Sequence, residues 1–259
     1  MIFTDTHTHL YLNAFDDDRV EVVKNAIEQD VKYMLLPNID SSSIDPMFEL
    51  CKAFPENCFP MMGLHPTSVK ENYKEELEII SGWFEKQNFI AVGEIGIDLY
   101  WDQSFQKQQQ EAFRFQIDLA LKNEIPIVIH SRDSFDEIFN VLEDYRGSGL
   151  KGVFHCFTGS LEQANKAIDL GFYLGIGGVL TFKNSGLDKV IAEIDLKHIL
   201  LETDSPFLAP TPFRGKRNES AYINLVANRL SQIKNIDREE IAKITTQNAI
   251  DLFKFTDHA

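Results

Sequence analysis

A (β/α)8 TIM barrel is the fold class this sequence predicts, on three observations. Eight short apolar runs alternate with amphipathic segments, the alternation fills the 259 residues, and no Gly/Ser-rich linker or charge block interrupts it. The chain is therefore read as a single α/β domain spanning residues 1–259. An open doubly wound sheet uses the same alternation and is the competing architecture.

The first strand is predicted at residues 2–6, before a helix at 16–28 with acidic residues at its start and a stripe of Val20, Val23 and Ile27. A second strand at 33–36 stops at Pro37, and Ser41 to Ser43 can cap a short helix carrying Phe48 and Leu50. Strand three at 59–64 precedes a helix at 74–86, and strand four at 90–95 precedes a long helix at 103–122. In that long helix Phe113, Ile117, Ala120 and Leu121 share a face. Strand five at 125–129 leads to a helix capped by Asp133 or Ser134, whose stripe is Phe135, Ile138, Phe139 and Leu142. Strand six at 152–154 is followed by a helix at 161–170 that Gly171 stops. Strands seven and eight fall at 172–176 and 198–201, and two late helices follow, one marked by Ile223, Val226, Ala227 and Leu230, the other after Asp237.

Composition narrows the function classes. A hydrophobic share of 44% with 25% charged residues is that of an ordinary soluble domain. No apolar run approaches the roughly 18 residues of a membrane span, and the N-terminus lacks the basic segment and apolar core of a secretory signal. The expected location is cytoplasmic, with no membrane contact and no obligate protein partner evident. Cys51, Cys58 and Cys156 form no CxxC pair and read as small core residues in a reducing compartment. A formal charge of −15 argues against a passive nucleic-acid binder. It does not exclude an enzyme that meets phosphates through bound cations and a few arginines.

The residues that carry chemistry are gathered by position. His7 and His9 are two apart at a strand end, so their side chains project the same way. Glu94, His130, His155 and Asp204 also sit at the ends of predicted strands, which in a barrel form one rim. Five of the seven histidines, His65 included, lie at such ends, leaving His198 and His258 without a role. One strand-end histidine would be an ordinary hydrogen-bonded residue, whereas four with two carboxylates on one rim make a metal site. That number suits two cations, since a single tetrahedral catalytic site needs about three protein ligands. Glu94 can bridge them, one oxygen to each. Paired ions about 3.5–4 Å apart activate water and stabilise the attacking and leaving oxygens of a displacement. Asp204 is placed to accept the water's proton. The chemistry expected is metal-assisted hydrolysis.

The chain resembles the TatD family of metal-dependent deoxyribonucleases, within the amidohydrolase-like barrels. The resemblance rests on Asp5-Thr6-His7-Thr8-His9-Leu10, Gly63-Leu64-His65-Pro66, Gly93-Glu94-Ile95-Gly96-Ile97-Asp98, residues 126–132, His155-Cys156-Phe157-Thr158-Gly159, Leu201-Glu202-Thr203-Asp204-Ser205-Pro206 and residues 212–218. These cover nearly the whole chain in the family's order. The resemblance implies that His7, His9, Glu94 and Asp204 hold one divalent ion and that Glu94, His130 and His155 hold a second. It implies hydrolysis of phosphodiesters, commonly as a 3′–5′ exonuclease on single-stranded DNA or RNA, with His65, Asp98 and Arg132 near the substrate. Tyr11 stands where many relatives carry an acidic residue, and Ser220 replaces a common proline.

The metal is expected to be divalent (magnesium, manganese or zinc). Imidazoles suit zinc and manganese, whereas magnesium prefers oxygen. The alternative function is that of a metal-dependent amidohydrolase or esterase acting on a small molecule or on aminoacyl-tRNA. Such enzymes often bridge their metals with a lysine at the end of strand four, where this chain offers Glu94. Arg214, Lys216 and Arg217 form the densest basic cluster and read equally as a solvated loop or a phosphate contact. Tyr100 and Trp101 read as loop or core packing ahead of base stacking.

Overall fold

Eight strands alternate with nine α-helices along residues 1–255, the part of the chain that this computed structural model describes; His258 lies outside it. β1 (Phe3–Asp5), β2 (Val31–Pro37) and β3 (Cys58–Met61) form one parallel sheet. β4 (Val92–Asp98), β5 (Ile127–Arg132), β6 (Gly152–Phe154), β7 (Phe172–Ile176) and β8 (Ile199–Leu201) form another. Two narrow seams close these arcs into the predicted barrel. A Met62–Val92 bridge joins the end of β3 to β4, and a Thr8–Ser205 bridge joins the segments after β1 and β8. The second seam is reinforced where the Thr6 N–H donates to the Leu201 carbonyl at 3.1 Å and the Asp204 N–H to the His7 carbonyl at 2.9 Å.

Several strands are buried on both faces, because alternate side chains enter two different apolar clusters. Leu36, Ile127, Ile129, Phe154, Ile199 and Leu201 pack under the helices. Leu35, Met61, Val128, Val153 and Leu200 belong to the second cluster, which Leu252, Phe253 and Phe255 complete. The Phe255 ring lies 4.9 Å from Tyr33 and 5.1 Å from Phe59, so the chain's last described residues plug the barrel at the start of β2 and β3, away from the strand ends. The outer layer is α1 (Arg19–Glu28), α2 (Ile44–Ala53), α3 (Tyr73–Trp83), α4 (Gln106–Asn123), α5 (Phe135–Glu143), α6 (Leu161–Asp169), α7 (Leu187–Glu193), α8 (Ile223–Lys234) and α9 (Arg238–Phe253). No helix among the described residues is long and apolar enough to cross a membrane.

The differences from expectation are local. α1 buries Val22, Val23 and Ala26 and leaves Val20 and Ile27 exposed. Its orientation is set by Arg19, whose guanidinium donates to the carbonyls of Leu10, Tyr11 and Leu12. β4 and β5 run three residues further than predicted, so His130 lies within a strand and Glu94 lies well before the end of one. Gly96 lets the two backbones approach closely. Gly96 has φ +141°, and a Cβ there would meet the His130 carbonyl oxygen at 2.1 Å. α7 had no predicted counterpart, being only seven residues long.

Candidate active site

At the C-terminal ends of the strands the chain brings its chemistry together. Asp5, fully buried, accepts both the Thr203 N–H (2.9 Å) and the Thr203 hydroxyl (2.6 Å). This lashes the segment after β1 to the segment after β8 and sets His7 and His9 beside Asp204. β4 supplies Glu94 and Asp98, four apart and so on one face, β5 supplies His130, and His155 follows β6.

Glu94 sits at the centre and sorts the imidazoles between its two oxygens. Oε2 faces His7 Nε2 at 3.1 Å and His9 Nε2 at 3.5 Å. Oε1 faces His130 Nδ1 at 2.8 Å, His155 Nε2 at 3.1 Å and His65 Nε2 at 3.3 Å. Asp204 Oδ1 completes the first side, 3.7 Å from His9 Nε2 and 3.9 Å from His7 Nε2. Three ligand-like groups overlap here: His7, His9 and Glu94; His7, His155 and Asp204; and His65, Glu94 and His130. All six expected metal ligands therefore converge. His65, expected near the substrate, stands among them. His7 and His155, placed on different ions by the family resemblance, have rings stacked at 3.6 Å.

Four of these imidazoles are held by their other nitrogen, His65 Nδ1 by the Thr67 hydroxyl at 2.7 Å and the Thr67 N–H at 3.1 Å. His9 Nδ1 meets the Tyr11 hydroxyl at 2.8 Å, and that hydroxyl donates to the Pro37 carbonyl at 2.5 Å. Tyr11 must then accept from His9 Nδ1–H, which leaves Nε2 a bare lone pair. His130 Nε2 meets Asp98 Oδ2 at 2.9 Å. His155 Nδ1 meets Glu202 Oε1 at 3.2 Å, an oxygen that also accepts the Cys156 N–H at 2.7 Å. Gly175 makes room for that carboxylate, since a Cβ there would lie 2.3 Å from Glu202 Oε2. His7 Nδ1 has no hydrogen-bond partner among the described residues. The sequence reading assigned no role to Tyr11 or Glu202. Both stand two residues from a ligand candidate, so strand alternation was the available signal.

The donor set fits a divalent cation. The bare His9 Nε2 points at Glu94 Oε2, at Asp204 Oδ1 and at His7 Nε2 only 3.2 Å away. Lone pairs and carboxylate charge aimed at one spot repel unless a cation or proton lies between them. The protein's ionisation states reflect that crowding. Burial would raise the Glu94 carboxyl, but His155, His65 and His7 around it hold it well below its ordinary range. Burial opposes a charge on His155, yet Glu94 and Glu202 keep its pKa well above the usual imidazole value. His7 is driven the other way by burial and by His155. Burial pushes Asp204 up to about 6, against His155 and His9.

These groups floor a cleft of about 660 Å³, with Asp98, Trp101, Arg132 and Phe207 on its walls. A second cleft, of about 710 Å³, adjoins it across Ser131, Arg132 and Thr158. Of the residues expected near substrate, His65 and Arg132 line the first cleft. Asp98 lines it too but is almost wholly buried: Oδ2 is on His130, and Oδ1 accepts the N–H groups of Tyr100 and Trp101. Cys156 is also a cleft residue rather than a core one, unlike Cys58; Cys51 is half-buried. Of the basic cluster, Arg217 is spent on Asp18 and Glu219, and Arg214 lies 4.2 Å over Phe182. Neither lines either of these clefts.

A sequence model of a family described as "TatD related DNase" matches residues 4–254. The chain is 38% identical over 255 residues to a Bacillus subtilis protein described as the metal-dependent hydrolase YabD, covering 98% of this chain and 99% of that one. It is 30% identical over 256 residues to the Salmonella typhimurium 3′-5′ ssDNA/RNA exonuclease TatD, covering 96% and 98%. Among solved structures, that of the Escherichia coli TatD homologue YJJV superposes with a TM-score of 0.91 at 29% identity, covering 97% and 98% of the two chains.

Proposed function

The chain belongs to the TatD-related DNase family, and from that membership we propose that it removes nucleotides from the 3′ end of single-stranded DNA or RNA. At the coarser level it is a metal-dependent hydrolase acting on ester bonds. The support for the finer reading comes first from Glu94, whose oxygens divide the imidazoles into two sets. On this reading His7, His9, Glu94 and Asp204 would hold one divalent cation, and Glu94, His130 and His155 another, with His65 in reach. Bound cations would supply Lewis acidity, polarising a phosphoryl oxygen and lowering the pKa of water.

The chain's own groups do the rest. Asp204 is the open carboxylate of the site, 14% exposed against 3% for Glu94, and its Oδ atoms can take the attacking water's proton. Arg132 offers a fork of donors to the phosphate. Tyr11, Asp98 and Glu202 fix ring orientation, so that His9, His130 and His155 need no reorganisation as a cation arrives. The deciding experiment incubates end-labelled single strands with the protein and magnesium, manganese or zinc, alongside metal analysis. Mononucleotides released from the 3′ end are expected. Metal-loaded protein that cleaves esters or lactones but no strand would replace the nuclease with the esterase reading.

Two predictions arise from the ring partners and the protons. Glu202→Gln keeps the shape but removes the charge on His155, and should weaken cation binding about 10- to 100-fold. Tyr11→Phe, which takes away only a neutral acceptor, should cost less. Equilibrium dialysis with manganese would order the two, and the reverse order would contradict the account. Cation binding must also displace the protons that Asp204 and His155 hold in the cation-free protein. Affinity should therefore fall as the pH drops, through loss of the His155 proton above about 6 and more steeply below it, where Asp204 too must release a proton on binding. Calorimetry in buffers of differing ionisation enthalpy measures that release, and a pH-independent affinity would count against these ligands.

A further inference from the structure

Among the described residues, four aromatic side chains are largely exposed: Tyr100 (55%), Trp101 (68%), Phe115 and Phe207 (50%). Three of the four stand at the clefts above Glu94. Trp101 and Phe207 line the cleft that holds the candidate ligands, and Tyr100 lines the neighbouring one. Phe207 is close to the chemistry, its ring 6.2 Å from that of His9. Exposed aromatics gathered at one mouth mark a binding surface rather than scattered surface residues.

The aromatic loop is also anchored to the site. Asp98 Oδ1 accepts the N–H of Tyr100 at 3.0 Å and of Trp101 at 3.1 Å, while Asp98 Oδ2 faces His130. One buried carboxylate thus fixes both the aromatic pair and a candidate ligand. The two rings stand at 88° to each other, and Arg132 Cζ lies 3.8 Å over the Tyr100 ring. Arg132 forms no ion pair and no guanidinium hydrogen bond among the described residues, although Asp133 and Asp136 are neighbours in sequence. In a chain of charge −15, a propped guanidinium with every donor free is set for an anion that arrives from outside.

We propose that Trp101 and Phe207 form a stacking subsite for one unpaired nucleobase, and that Tyr100 props Arg132 against the phosphate attached to it. This deepens the nuclease reading and rests on it. Every base has a π face, so such a subsite is indifferent to sequence. A base inside a duplex has both faces covered by its neighbours, so the same subsite selects single strands.

Trp101 supplies its own probe. Replacing the other tryptophan, Trp83→Phe, leaves Trp101 as the sole indole, and titration with a phosphorothioate single strand should quench it. Trp101→Ala should raise KM for single strands about tenfold with kcat little changed, and Trp101→Phe should restore most of the loss. On a strand whose terminal or penultimate nucleotide is abasic, wild type and Trp101→Ala should converge. Strand hydrolysis with no quenching and equal KM in Trp101→Ala would overturn the subsite while leaving the nuclease reading intact. Quenching without hydrolysis under any divalent cation would support the subsite and overturn the exonuclease. Quenching that persists with a fully abasic strand would overturn stacking in favour of a backbone contact.

Discussion

Glu94→Ala is expected to lower strand hydrolysis by about 1,000-fold or more, the scale set by losing one strong electrostatic contact to the reacting centre. The reason is its sharing. His7 and His9 face one oxygen, and His130, His155 and His65 face the other, so one substitution unmakes both halves of the site. Metal analysis should show loss of bound cation, not only loss of rate. The barrel itself should survive, because Glu94 only shares with Asp98 the raising of the His130 pKa, and with Glu202 that of His155, against burial. Without it those rings lose their protons more readily and remain as neutral, hydrogen-bonded imidazoles. Glu94→Asp keeps the charge but shortens the reach, and should retain one cation better than two. A Glu94→Ala protein that kept a tenth of the wild-type rate would sink the shared-carboxylate account.

Gly96→Ala should be the most damaging single methyl in the site's scaffold. The φ of +141° is one that residues with a side chain rarely adopt, and the new Cβ would lie 2.1 Å from the His130 carbonyl oxygen. β4 and β5 pair at this point, Gly96 with His130, so relief requires parting the strands. A destabilisation of about 3 kcal/mol is expected, seen as a fall in melting temperature of about 6–12 °C. Activity should fall as well, since moving His130 disturbs its contacts to Glu94 and Asp98. Urea unfolding of the cation-free protein isolates the packing effect. Unchanged stability would mean that β4 carries no such constraint.

Much of the site is legible in the residues themselves, for a physical reason. Strand alternation pairs His7 with His9, and the barrel rim collects Glu94, His130, His155 and Asp204 from strand ends far apart in sequence. What alternation does not reveal is which buried group a ring leans on. Glu202 is 47 residues from His155, and their contact exists only because β6, β7 and β8 lie side by side. Trp101 was expected to pack because large aromatics usually do. Its backbone is anchored on Asp98 only three residues earlier, and the loop so formed leaves the ring exposed, which apolar content alone does not signal. β4 and β5 continue three residues beyond their predicted ends, because their pairing from Ile95–Ile129 to Asp98–Arg132 is not visible in either segment alone.

The two seams of the barrel give the proposed cations a second task. His7 and His9 come from the three-stranded arc, whereas Glu94, His130, His155 and Asp204 come from the five-stranded arc or its end. A cation held by both arcs is a rivet across the weakest joints of the cylinder. Seam closure and occupancy then become one equilibrium, and a molecule whose seam has parted is also catalytically silent. Copies whose seam had loosened would lose their hydrolytic activity together with their cations.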